Sequence, residues 1–222
     1  MPDNPTPATV INISAAGNGS CPALLQAAID EARRRGAVVV VAAGNAAAHL
    51  AGGNTKDLYP ANCNHVLTVT ATDIQGDRLL SAYHGAEVAL AAPGKGITTL
   101  SNAGTVAADP AGDRYVVATG TSLAAPHVAA AAAMVRAANP ALTADEVGNL
   151  LRATARPFPA GSTCTPADCG AGILDLEAAV QRAGGYSGST ASSGSTGSGG
   201  GGAMAGWLWL LAARVARRRA RC

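Results

Sequence analysis

The sequence predicts an α/β domain built on a parallel sheet, and three observations carry that reading. The run "AVVVVAAGN" at 37–45 is a continuous apolar, β-branched stretch, as a strand buried on both faces requires. Before it, Leu24, Leu25, Ala28, Ile29 and Ala32 recur at helical spacing, and earlier still Val10 to Ser14 reads as a short buried strand. Strand, helix, strand in that order implies a right-handed crossover between parallel neighbours. A length of 222 residues, with apolar types at 48%, suffices for one domain with a substantial core.

The glycine-rich break "AAGNGS" follows the first strand. Ser20 or a neighbour is expected to cap the helix from Pro22 to Arg35, where Arg33 to Arg35 suit the negative dipole end and Gly36 stops the run. Val66 to Thr72 and Glu87 to Ala92 read as further strands, and Ile97 to Ser101 with Tyr115 to Thr119 as the arms of a hairpin around a polar loop. Three helices close the body. Ser122 to Ala138 is apolar on nearly every face, so a central, enclosed position is expected for it. Thr143 to Ala153 is amphipathic and opens on a capping box of Thr143 and Glu146, and Leu176 to Ala183 is short.

The body is expected to cover residues 1–185. Residues 186–202, "YSGSTASSGSTGSGGGG", offer too little apolar surface to fold and read as a flexible linker. The end, 203–222, is an apolar run followed by Arg214, Arg217, Arg218, Arg219 and Arg221 with no acid, which leaves a mildly acidic body and a basic tail. The arginines follow an apolar run and have no aromatics interleaved, so membrane association, arginines on the cytoplasmic side, is preferred to nucleic-acid binding. The uninterrupted run Ala203 to Ala213 is shorter than the roughly twenty residues of a spanning helix.

The five cysteines, Cys21, Cys63, Cys164, Cys169 and Cys222, show no metal-ligand spacing, and no metal site is identified. Cys164 and Cys169 bracket a short loop and are expected to pair, leaving Cys21 with Cys63; the alternative is four buried free thiols. Disulfides favour an oxidising compartment. The start "MPDNPTPATVINIS" nevertheless lacks the basic, apolar and small-residue parts of an export signal.

Ser122 stands at the amino-terminal edge of an apolar helix, where unpaired backbone N–H groups and the positive dipole end would stabilise an oxyanion. Gly120 permits close approach, and Pro126 is tolerated in the first turns. By itself "GTS" is equally a cap before a core helix. The longer block "GTSLAAPHVA" at 120–129, preceded by "VINISAAG" at 10–17 and "VVVVAAGN" at 38–45, resembles the subtilisin-like serine proteases in order and spacing. "ALAAPG" at 89–94 and "CGAGILDLEAAV" at 169–180 resemble the family as well, so the likeness covers roughly 8–183. A GxSxG elbow is ruled out by Ala124.

The resemblance implies a three-layer subtilisin-like fold, incomplete at its amino-terminal side, and a serine endopeptidase acting on polypeptides through an acyl-enzyme. It implies Ser122 as nucleophile and Asn45 as side-chain donor of the oxyanion hole. Ser14, Ala15, Ala16 and Gly17, with Ala42, Ala43 and Gly44, would flank an extended substrate, and Leu58 would lie near the floor of the pocket before the cleaved bond, favouring small or medium side chains. Calcium enters from the resemblance alone. The tail resembles Gly-rich, apolar, Arg-cluster sorting signals of Gram-negative bacteria, which a membrane protease removes during surface delivery; a plain anchor is the alternative.

The family's "HGTxVAG" histidine and "DTG" aspartate motifs do not occur. His127 is five residues beyond Ser122, about 140° round the helix, and is expected to pack rather than act as base. His49, His65 and His84 lack the glycine-rich context, and nothing around Asp3 matches. The expectation is therefore the carboxy-terminal part of a longer secreted or surface-sorted precursor, weakly active or inactive by itself. A pseudoprotease binding peptides in its cleft, or a fragment needing a complementary chain, is the alternative.

Overall fold

The computed structural model describes residues 7–47, 49–104 and 106–184; the expected linker at 186–202 and tail at 203–222 lie outside the described residues. In chain order the elements are β1 (Val10–Ile13), β2 (Gly17–Asn18), α1 (Ala23–Arg34), β3 (Val38–Ala42), β4 (Leu58–Tyr59), β5 (Leu67–Thr72), β6 (Val88–Pro93), β7 (Ile97–Asn102), β8 (Asp113–Ala118), α2 (Thr121–Ala138), α3 (Ala144–Ala153), α4 (Pro166–Cys169) and α5 (Leu176–Gly184).

β1, β3, β5 and β6 form a parallel sheet in that spatial order, with Val10 opposite Val38 and Ile13 opposite Val41. All five residues of β3 are buried. Val38, Val40 and Ala42 pack with Ala124, Val128, Val135, Val147 and Ala179 of the helical layer of α2, α3 and α5, whereas Val39 and Val41 pack with Ile29 of α1. Two covered faces explain the unbroken β-branched run, and the parallel sheet expected from it and the three layers expected from the resemblance are both found.

α1 ends as the sequence implies. Gly36, at φ 88°, lets its N–H reach the Arg33 carbonyl at 2.8 Å while the Ala37 N–H reaches the Ala32 carbonyl at 3.0 Å, pairing carbonyls the helix leaves open. Its start differs from expectation. Pro22 is the cap, no side chain caps the helix, and Ser20 lies too far back to do so. α3 does open on the capping box: the Glu146 N–H donates to Thr143 Oγ1 at 3.3 Å and the Thr143 N–H to Glu146 Oε2 at 2.7 Å. An ion pair between Arg33 and Asp145 joins α1 to the first turn of α3.

α2 is not enclosed on every side. Ala124, Ala125, Val128, Ala131, Ala132 and Val135 are buried, but Pro126, His127, Ala130, Ala133, Met134 and Ala137 form an exposed stripe. Almost pure alanine carries no polar face to announce which side meets solvent. β7 and β8 pair antiparallel from Ile97–Ala118 to Asn102–Asp113, the expected hairpin, and expose Leu100 and Tyr115 at 77% and 76%. β2 and β4 make a two-residue antiparallel ladder. The disulfides are Cys21–Cys63 and Cys164–Cys169, as the spacing suggests. No helix among the described residues is long and apolar enough to cross a membrane.

Candidate active site

The carboxyl ends of the parallel strands gather the candidate residues. Ser14 follows β1, Gly44 and Asn45 follow β3, Gly94 follows β6, and α2 begins there at Thr121. Open α/β sheets bind ligands at this edge. The Gly120 N–H donates to the Gly94 carbonyl at 2.8 Å. Gly120 sits at φ 151°, a conformation that favours glycine, and a Cβ on it would press against Asn45 Oδ1 at 3.3 Å.

Asn45 is held at one end. The Thr121 N–H donates to Asn45 Oδ1 at 2.9 Å, which leaves the amide nitrogen as the free donor end, with no acceptor among the described residues. The Gly44 N–H donates to Thr121 Oγ1 at 3.2 Å, fixing the strand end that carries Asn45. Ser122 is the second residue of α2, so its backbone N–H belongs to the first turn and has no partner within the helix. Its hydroxyl donates to the Ser14 carbonyl at 3.4 Å, and Ser14 Oγ donates to the Ser122 carbonyl at 3.0 Å. Asn12 in turn donates to Ser14 Oγ at 2.9 Å. A serine hydroxyl, an amide donor and a helix amino terminus thus converge, groups whose chemistry is suited to attack on a carbonyl and to holding the resulting anion.

The expected cleft walls also meet. Ser14 and Ala15 are exposed at the end of β1, Gly17 pairs with Tyr59, and Ala42 to Gly44 are buried behind Asn45. Leu58, 5% exposed, lies against Gly44, where any Cβ would overlap it, and Ala16 Cβ is 3.7 Å from that same position. Leu58 therefore occupies the space between the two segments.

None of the four histidines hydrogen-bonds to Ser122 among the described residues. The His127 Nδ1–H donates back to the Leu123 carbonyl at 2.7 Å, and the ring is exposed rather than packed, against expectation. His65, at φ 64°, pairs with Asp30 at 2.9 Å ahead of β5, at the opposite end of the sheet; hydrogen bonds from His65 and then Gln26 hold the Asp30 pKa below its usual value. The His84 Nδ1–H donates to the Gly53 carbonyl at 3.0 Å, and burial, followed by the Arg78 charge, lowers its pKa. His49 is exposed in a turn beyond Asn45, and Asp3 lies outside the described residues. No group of three or more His, Cys, Asp or Glu able to hold a metal ion is present among the described residues.

Two contributors escaped the sequence reading. Thr121 reads as a cap beside the serine, yet its N–H and hydroxyl organise Asn45 and Gly44. Asn12 is the one polar residue in an apolar strand, and that break in pattern is the signal that marks it.

Residues 3–199 match the model of the subtilase family, Peptidase_S8. The chain is 40% identical over 184 residues to the extracellular protease of Xanthomonas campestris pv. campestris, covering 82% of this chain and 30% of that protein. It is 38% identical to the extracellular basic protease of Dichelobacter nodosus, over 81% of this chain and 29% of that one, and 36% identical to subtilisin DY of Bacillus licheniformis, over 78% and 57%. A solved protease chain from Pseudoalteromonas arctica PAMC 21717 aligns with a TM-score of 0.73 at 40% identity, over 82% of this chain and 53% of that one. The chain thus spans about 30% of the length of the first two relatives.

Proposed function

The chain belongs to the subtilase family, and from that membership we propose that it is the nucleophile-bearing portion of a serine endopeptidase. Ser122 Oγ attacks the peptide carbonyl as a base takes its proton, Asn45 Nδ2 with the Ser122 N–H holds the oxyanion, and the C–N bond then breaks, the amine leaving with that proton and the acyl-enzyme remaining. The observation that carries the reading is the fixing of Asn45 by the Thr121 N–H, because it aims a preorganised donor across the same edge that presents Ser122. Substrate lies extended between Ser14–Gly17 and Ala42–Gly44, and Leu58 limits the pocket to small or medium side chains. In a peptide library, preference for large aromatics before the cleaved bond would contradict this assignment.

Acylation needs a base, and the Ser122 hydroxyl faces the Ser14 carbonyl instead. The base and its carboxylate partner accordingly come from polypeptide other than the described residues, and this chain alone is weakly active or inactive. The same hydrogen bond favours a second reading, in which the chain binds peptides in the cleft without cutting them. A fluorophosphonate probe separates the two: no labelling of Ser122 in the isolated chain and labelling once a base-bearing polypeptide is supplied is the expected result. Labelling of the chain alone would show that a base is already present, and none in either case leaves only peptide binding.

The relatives from Xanthomonas and Dichelobacter are named extracellular proteases. Export fits the disulfides here, with 203–222 as a membrane anchor or a sorting signal removed by a membrane protease. Calcium is a candidate ligand by family membership alone.

A further inference from the structure

Arg78 is a half-buried cation outside the residues that flank the cleft. It pairs with no carboxylate among the described residues: its Nη1 donates to the Ala82 carbonyl at 2.7 Å and to the Leu79 carbonyl at 3.3 Å. Its Nε is buried and has no partner among them. Burial, opposed by the charge of Asp168, lowers its pKa. A guanidinium half withdrawn from water, with no counter-charge in contact, costs free energy that an apolar residue of similar length would not. Its use must lie in the two carbonyls.

Ala82 is fully buried, and its carbonyl accepts from Arg78 alone among the described residues. That carbonyl shares one planar peptide with the Tyr83 N–H, so turning either turns both. The Tyr83 N–H donates to the Gly44 carbonyl at 3.0 Å. The Gly44 carbonyl in turn shares a peptide plane with the nitrogen of Asn45. On the other side the Ala46 N–H donates to the Ser81 carbonyl at 2.8 Å, so Asn45 stands opposite Ala82 in an antiparallel bridge. Two rigid peptide planes therefore run from the guanidinium to the backbone of Asn45, while the Thr121 N–H holds the oxygen of its side chain.

We propose that Arg78 is a positioning residue for Asn45: by holding the Ala82 carbonyl it sets the tilt of the Ala82–Tyr83 peptide and, through the Gly44 carbonyl, the place of the Asn45 amide at the edge that presents Ser122. Without the guanidinium the buried carbonyl turns to find water, and the Tyr83 N–H turns with it. Lysine keeps a charge and donors on a shorter, point-like head, so it replaces the guanidinium only in part. That Asn45 donates to an oxyanion rests on the hydrolase reading; the mechanical link from Arg78 to Asn45 does not.

The test compares Arg78→Met, which keeps the length and removes the donors, with Arg78→Lys, in the 222-residue chain and in that chain complemented with a base-bearing polypeptide. Hydrogen exchange of the chain alone is expected to show the Tyr83 amide at least about tenfold faster in Arg78→Met, with the amides of β3 unchanged. In the complemented protein, acylation of Ser122 slows by about tenfold or more while peptide affinity holds within about twofold, and Arg78→Lys recovers part of the loss. Beside Asn45→Ala the same substitution adds nothing, because the residue it acts through is gone. An unaltered Tyr83 amide, unaltered acylation, an equal loss in both backgrounds, or a fall in affinity that matches the fall in rate overturns the proposal. Should circular dichroism show that Arg78→Met does not fold, Arg78→Lys carries the comparison: a loss of about threefold that disappears beside Asn45→Ala is expected, and no loss, or one undiminished there, overturns it. A faster Tyr83 amide in a protein whose Ser122 is never acylated keeps the link and removes the hydrolase reading; acylation indifferent to Arg78 keeps that reading and removes the proposal.

Discussion

An amide side chain is nearly symmetric in shape and asymmetric in chemistry, so the use of Asn45 depends on which end is held. The Thr121 N–H takes the oxygen, and only the nitrogen is left to face a developing negative charge. Asn45→Ala in a base-complemented protein is expected to slow acylation of Ser122 by about 10²–10³-fold, the scale known for the side-chain donor of subtilisin itself, with little change in substrate affinity. Stopped-flow acylation with an ester substrate reads this, and a loss below about threefold would remove Asn45 from the oxyanion role. Ser122 and Asn45 could be named as candidates from the sequence because each stands inside a long block of residues that resembles the family. Thr121 could not, because its role arises from a contact with Gly44 and Asn45 more than seventy positions away, which no local pattern records.

Helices and strands were legible where a period or a cap is written locally. The valine run, the hairpin arms and the Thr143–Glu146 box all appear as read. Thr143→Ala removes an acceptor for the Glu146 N–H and is expected to cost about 1 kcal/mol, measurable as a lower urea midpoint at unchanged slope. An unaltered midpoint would mean that water replaces the cap fully. Two kinds of element stayed hidden. β2 and β4 are two residues each and exist only through one another, so neither segment carries a strand signature. The exposed stripe of α2 was hidden for the opposite reason: alanine suits burial and exposure alike, and only neighbouring elements decide between them.

Across the whole molecule His84 and the perturbed carboxylates act in one direction with pH. Burial, then Arg78, depresses the His84 pKa from 6.5, so the unfolded chain binds a proton first; this stability is complete above pH ~6.5 and is lost as pH falls through the folded value. Hydrogen bonds from Arg34 and Arg35 lower Glu31 from 4.5 to about 2, and the Arg33 hydrogen bond lowers Asp145. These carboxylates stabilise fully above pH ~4.5 and fade toward pH ~2. Calorimetry is expected to show a constant Tm above pH ~7, then two descents, the first absent in His84→Gln; a Tm that rises on acidification through pH 6 contradicts the assignment. The parallel sheet was readable from one strand buried on both faces and the three layers from the family resemblance, which, by implying a fold incomplete at its amino-terminal side, also implied an open edge such as that of β1. The disulfide at Cys21 and Cys63 closes a span of 42 residues that runs from the head of α1, through β3, to just past β4. A ladder as short as β2–β4 would ordinarily fray within its own thermal motion. Stitched in this way, it can open only by pulling on helix and sheet together, so the surface proposed to grip a peptide inherits the stiffness of the interior and recoils as one piece with it.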